Sequence, residues 1–210
     1  VRHRDLALLV SPSGLGADPD AAATEVLRHD ALLAAHLEAG DVAPIRFGAA
    51  AASPSAASDL LRWEARRLAA ALAAVAGAVE FAVRIEAAPE AAERSDPEPG
   101  APGPGGGAWL RARASQRRRA SVDEAVRRRF AEAAASRLAG FARRTASPRR
   151  GGAVTGRWLD LALLVPRDAA AELAADAGRL AEEAASPGLA LRLSGPWPPY
   201  SFAAAAEGAR

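Results

Sequence analysis

Apolar positions recur along this chain with two periods, and the switches between them mark out its elements. Leu6 to Val10 (LALLV) is a short apolar run closed by Ser11, Pro12, Ser13 and Gly14, which reads as a buried strand entering a loop. From Ala21 to Ala39, apolar residues at Val26, Leu27, Leu33 and Leu37 follow a capping Asp20 and end at Gly40, which predicts a helix. Leu60, Leu61, Trp63, Leu68, Leu72 and Val75 predict a second helix, capped by Ser55 or Ser58 and running to about Ala76. The period then drops to two. Val79, Phe81, Val83 and Ile85 alternate with Glu80, Ala82 and Arg84, a half-buried strand.

After residue 108 the pattern resumes. Val122, Val126, Phe130, Ala134, Leu138 and Phe141 form one apolar stripe on a long helix from Trp109 to Arg144. Trp158–Val165 (WLDLALLV) reads as a strand and Asp168–Ala185 as a helix burying Leu173 and Leu180. Leu189–Leu193 reads as a last strand, which Gly195 and Pro196 stop. Pro198 and Pro199 then stiffen a non-helical strap carrying Trp197, Tyr200 and Phe202. These aromatics either pack back on the protein or meet a partner, and we expect them to pack.

Composition sharpens this picture. Half of the residues are apolar but many are alanine, and aromatics make up 5%, so the few large side chains must mark the cores. The longest apolar runs are broken by charge and fall short of a membrane span, and no signal-peptide pattern is visible, so we expect a cytoplasmic protein. Pro89–Gly107 holds five prolines and five glycines, the signature of a linker. The expected domains are therefore 1–88, a linker at 89–107, and 108–210.

The net charge of +2 hides an asymmetry. Trp109–Arg150 carries thirteen arginines against Asp123, Glu124 and Glu132, a net of +10, which leaves the remainder at −8. An arginine-rich helix fits a phosphate backbone or a solvated, protein-facing surface, and no aromatic base-stacking set accompanies it.

The search for chemistry returns little. There is no cysteine, hence no disulfide and no thiolate nucleophile or ligand. His29 and His36 lie two turns apart on one face, too far for a single ion without further ligands, and we read no metal site there. Gly151–Trp158 has phosphate-loop glycine spacing, but Arg157 and Trp158 stand where the lysine and the hydroxyl belong, and a strand follows where a helix is required. We read no catalytic set and no cofactor.

Two stretches carry a family resemblance. Val42, Pro44, Arg46, Phe47 and Gly48 match a V-x-P-x-R-F-G element, and the strap matches S-G-P-W-P-P-Y-S-F through Gly195, Pro196, Trp197, Pro198, Pro199, Tyr200 and Phe202. Both resemble the gas vesicle L/F family (GvpL/GvpF), as does the order of elements from LALLVSP to the strap. The resemblance implies an α+β fold of two small domains, the N-terminal one a ferredoxin-like variant and the C-terminal one containing the long arginine-rich helix. It implies a non-enzymatic accessory or assembly protein of gas vesicles, in the cytoplasm or on the vesicle, whose partners are other gas vesicle proteins, including the small hydrophobic shell subunit. The motif residues would be structural or partner-facing. For Arg46 we expect a salt bridge or carbonyl cap inside the fold rather than an ion pair to a partner. The chain begins at Val1 without the strand that usually precedes LALLV in the family, so the first family strand is apparently missing. The alternative reading is an arginine-rich nucleic-acid-binding module.

Overall fold

The computed structural model describes residues 1–10, 19–45, 49–89, 106–147 and 157–203. Within them the elements run β1 (Arg2–His3), β2 (Leu6–Ala7), α1 (Pro19–Ala39), α2 (Pro54–Trp63), α3 (Ala65–Val75), β3 (Ala78–Ala87), α4 (Gly106–Ala139), β4 (Arg144–Ala146) and β5 (Arg157–Pro166). A 3₁₀ turn (Arg167–Ala169), α5 (Ala170–Ala184), β6 (Leu189–Trp197) and the single helical turn α6 (Tyr200–Ala203) complete the chain. The mixture of helix and sheet bears out the α+β class. Among the described residues no helix is long and apolar enough to cross a membrane.

One sheet has the strand order β4-β5-β3-β6. Its two central strands are the ones with the strongest sequence signals. In β3, Val83 and Ile85 are fully buried. In β5, Ala162 to Val165 are buried in succession, as expected where both faces of a strand are covered. The edge strand β6 runs on through Gly195 and Pro196 to Trp197, beyond the stop that those residues predict. An edge strand tolerates proline because only one side of its backbone must pair. The Gly195–Pro196 peptide is cis.

Two compact units divide the chain. Unit 1 comprises Val1–Phe81, Leu164–Asp168 and Gly195–Arg210, and unit 2 comprises Ala82–Leu163 and Ala169–Ser194. In unit 1, α2 packs on α3 and on β1, and α3 packs on α6. In unit 2, α4 packs on α5. The Pro/Gly-rich stretch at 90–105 lies outside the described residues.

Four local expectations are corrected. The LALLV run forms only the two-residue strand β2, antiparallel to β1, and Leu9 and Val10 are exposed. A run that meets no further strand cannot bury both of its faces. The cap of α2 is Ser53, whose Oγ accepts from Ala56 N–H at 3.1 Å, with Pro54 in the first helical position; Ser58 instead donates to Pro54 O at 3.0 Å. The predicted single helix from there to Ala76 is broken at Glu64 into α2 and α3. Finally, α4 starts at Gly106, and its apolar stripe is only partly used: Ala134 and Leu138 are buried, whereas Val122 and Val126 are exposed.

Candidate functional site

In unit 1, the C-terminal strap is held at three points, each for a distinct physical reason. The first is Gly195, whose φ is +131°. A Cβ there would sit 2.8 Å from both Glu80 O and Phe81 Cδ1, so backbone passes where no side chain fits. The second is the pair Pro198 and Pro199, both fully buried. Tyr200 N–H donates to Pro198 O at 2.7 Å, and Phe202 and Ala203 N–H both donate to Pro199 O, closing one helical turn. The strap is thus helical at its end, against the non-helical expectation, because a proline suits the entry of a helix that needs nothing from its missing N–H.

The third point is Glu80. Its alternation with Val79 and Phe81 predicts a solvent-facing side chain, yet only 8% of the residue is exposed. Its carboxylate accepts from Ser201 N–H at 2.8 Å and from Ser201 Oγ–H at 2.7 Å. Ser201 N–H is one of the first-turn donors a helix leaves unpaired, so Glu80 satisfies it. Burial raises the Glu80 carboxyl above its ordinary value, and the two bonds from Ser201 pull it partly back. No signal near residue 80 announces this partner, which is 121 positions away.

The strap aromatics divide. Phe202 is buried at 1% exposure and serves as a core residue. Tyr200 is half-buried, with its hydroxyl 3.5 Å from Asp30 Oδ1, a long contact; burial first, and then the Asp30 charge, push the phenol up to about 12. Trp197 is 41% exposed, against the expectation that it packs. The held backbone therefore presents one indole outward.

The other motif segment lies against the same region. Pro44 is buried, and Val42 and Ile45 are half-buried. Ala43, Pro44 and Ile45 share a hollow of about 20 Å³ with Leu68 and Ala71 of α3 and Ala203 of the strap, which is room for about one water. So Pro44, Pro198, Pro199 and Phe202 are packing residues. Arg46, Phe47 and Gly48 lie outside the described residues.

Two outward residues escaped the sequence reading. Trp63 is 89% exposed and Leu60, one turn earlier, is 48% exposed. The buried line of α2 is Ala57 and Leu61, four apart. Trp63 lies about 200° round the helix from Leu61 and so points away. The apolar residues of α2 and α3 fit two different faces, and the buried one is marked by 57, 61, 71 and 75, two of them alanines whose signal is weak. Among the described residues no catalytic constellation accompanies these surfaces; what they offer is aromatic and aliphatic area on rigid backbone, which suits protein recognition.

Comparison with known proteins agrees over most of the chain. The profile of the family described as gas vesicle synthesis protein GvpL/GvpF matches residues 1–204. A relative, gas vesicle protein L of Streptomyces sp. (strain CB03234), is 31% identical over 197 residues, covering 90% of this chain and 73% of its own. The crystal structure of GvpF from Anabaena sp. PCC7120 is similar with a TM-score of 0.60 at 16% identity, over 86% of this chain and 75% of the other. That of GvpF from Microcystis aeruginosa is similar with a TM-score of 0.57 at 17% identity, over 90% and 80%.

Proposed function

The chain belongs to the gas vesicle synthesis protein GvpL/GvpF family, and from that premise we propose that it acts as a non-enzymatic accessory of gas vesicle formation which binds other gas vesicle proteins through unit 1. The observation that carries this reading is Trp197. An indole 41% exposed, on a backbone pinned by Gly195, two buried prolines and the Glu80–Ser201 pair, is preorganised for contact, so little ordering cost is left for binding. Leu60 and Trp63 add a second outward apolar pair on the same unit. The small hydrophobic shell subunit is the partner this surface suits, because large apolar area gains most against an apolar counterpart.

Deleting the gene from its host should lower or abolish vesicle formation without harming general growth. Complementation with Trp197→Ala should fail to restore vesicles although the variant melts near the wild-type temperature, and a pull-down against the shell subunit should lose signal. Unchanged vesicle number and shape in the deletion strain, with no paralogue to compensate, would overturn the reading.

A further inference from the structure

The long helix α4 of unit 2 carries a face that unit 2 leaves uncovered. At 34 residues it is about 50 Å long, yet its buried side chains among those described, Ala131, Ala134 and Leu138, are confined to its last turns. Arg127 Nε, on the same inner side, donates to Pro187 O at 3.0 Å. Helical spacing places Arg111, Arg118, Val122, Val126 and Arg129 together on the opposite side, over about 27 Å of axis. Val122 is 61% exposed and Val126 49%.

Charge distinguishes this face from an ordinary solvated one. A solvated face interleaves acids and bases four apart, as Arg128 and Glu124 do at 2.7 Å. Arg111, Arg118 and Arg129 make no ion pair with any described residue. The three acids of the helix, Asp123, Glu124 and Glu132, lie about 80° or more round the axis from Val122. A coding bias toward arginine would replace lysines; it would not clear one face of acids and set two valines at its centre.

We propose that this face of α4 docks an acidic amphipathic helix of a partner protein. Carboxylates on such a helix meet the arginine fork bidentately, while its apolar residues cover Val122 and Val126. The valines argue against nucleic acid, since they would be desolvated against phosphates with no stacking aromatic beside them: Trp109 and Phe130 are half-buried and lie off this face. They argue against a lipid surface too, because two valines offer far less apolar area than an interfacial helix inserts. The surface belongs to unit 2, so it stands or falls separately from the docking role assigned to Trp197.

The test is fluorescence anisotropy on the full chain with a synthetic helix bearing Glu on one side and Leu on the other. Its comparisons are a Glu/Ser peptide of equal charge, duplex DNA, and vesicles containing an anionic lipid. The Glu/Leu peptide should bind best. Arg118→Glu with Arg129→Glu should weaken it about tenfold or more, and Val122→Ser with Val126→Ser several-fold, with circular dichroism and melting unchanged. Arg128→Glu, off the face, should do much less. Equal binding of the Glu/Ser peptide, tighter binding of DNA or vesicles, or no binding at all would each overturn the proposal. So would sedimentation showing self-association abolished by the same variants, which would make a second copy the occupant.

Discussion

Glu80 and Asp176 are the two buried charged side chains among the described residues, one in each unit, and they are accommodated in opposite ways. Asp176 sits on α5 and takes two bonds from Arg137 of α4, Nε at 2.7 Å and Nη2 at 2.5 Å, plus one from Arg179 at 2.6 Å. These hold its carboxyl below the usual aspartate range. Glu80 has an amide and a hydroxyl of Ser201 but no cation, and burial holds its carboxyl above the usual range. Unit 2 thus ties two helices with an ion cluster that favours charge. Unit 1 ties its strap with neutral donors around a charge it would rather not carry. The same arginine-rich composition does not dictate one solution; what matters is which partner the topology delivers.

The contrast can be broken most severely at the strap's core. Phe202→Ala removes a fully buried ring from unit 1 and should cost about 3–5 kcal/mol, read from denaturant melts. A loss under about 1 kcal/mol would mean that the strap does not contribute to the fold. Gly195→Ala comes next. It places a methyl 2.8 Å from Glu80 O at a φ of +131°, and the strain should cost about 1–3 kcal/mol, with Ser201 losing its register on Glu80.

The pH responses sharpen the comparison. A raised folded-state carboxyl gives stability that is full below its unfolded pKa and lost as pH rises through the folded value, which is the case for Glu80. A lowered one gives stability present above the unfolded pKa and lost as pH falls through the folded value, which is the case for Asp176. Glu80→Gln keeps both bonds, its Oε1 accepting the Ser201 amide and its Nε2 donating to Oγ. It should change stability by under about 1 kcal/mol while removing the loss seen on raising the pH through the Glu80 range. Asp176→Asn should be destabilising at neutral pH, and its deficit should shrink on acidification. Parallel slopes for the two variants would refute the distinction. A small stability effect is also expected for Trp197→Ala, under about 1.5 kcal/mol because the indole is only partly covered, and a core-sized loss would return it to the packing role.

Legibility followed the range of each interaction. The alternation Val79–Ile85 and the run Trp158–Val165 announced β3 and β5 because strand periodicity is local. The strap's packing was half legible: three prolines foretold rigidity, but nothing nearby tells an indole from a phenyl ring as the one left outside. The burial of Glu80 could not be read from its neighbours, since its partner arrives from the far side of unit 2's sequence. Trp63 was misplaced for a different reason. Leu60 and Trp63 suggest one helical face and Ala57 and Leu61 another, and alanine carries too weak a signal to win that contest without the packing of α2 on α3. On α4, periodicity correctly found a helix but could not tell how much of it has a neighbour.

The two bonds between Ser201 and Glu80 also bear on how the protein is made. The segments of unit 2, Ala82–Leu163 and Ala169–Ser194, are enclosed in sequence by those of unit 1. A ribosome delivers Glu80 early and Ser201 last among the residues that matter to it, so the inner unit has all its parts while the outer one still lacks its fastener. Nascent chains arrested after Ser194, outside the exit tunnel, should accordingly show protease protection within 106–147 and 169–194 but not around Glu80, and protection of the latter should appear only once residues 195–203 have emerged.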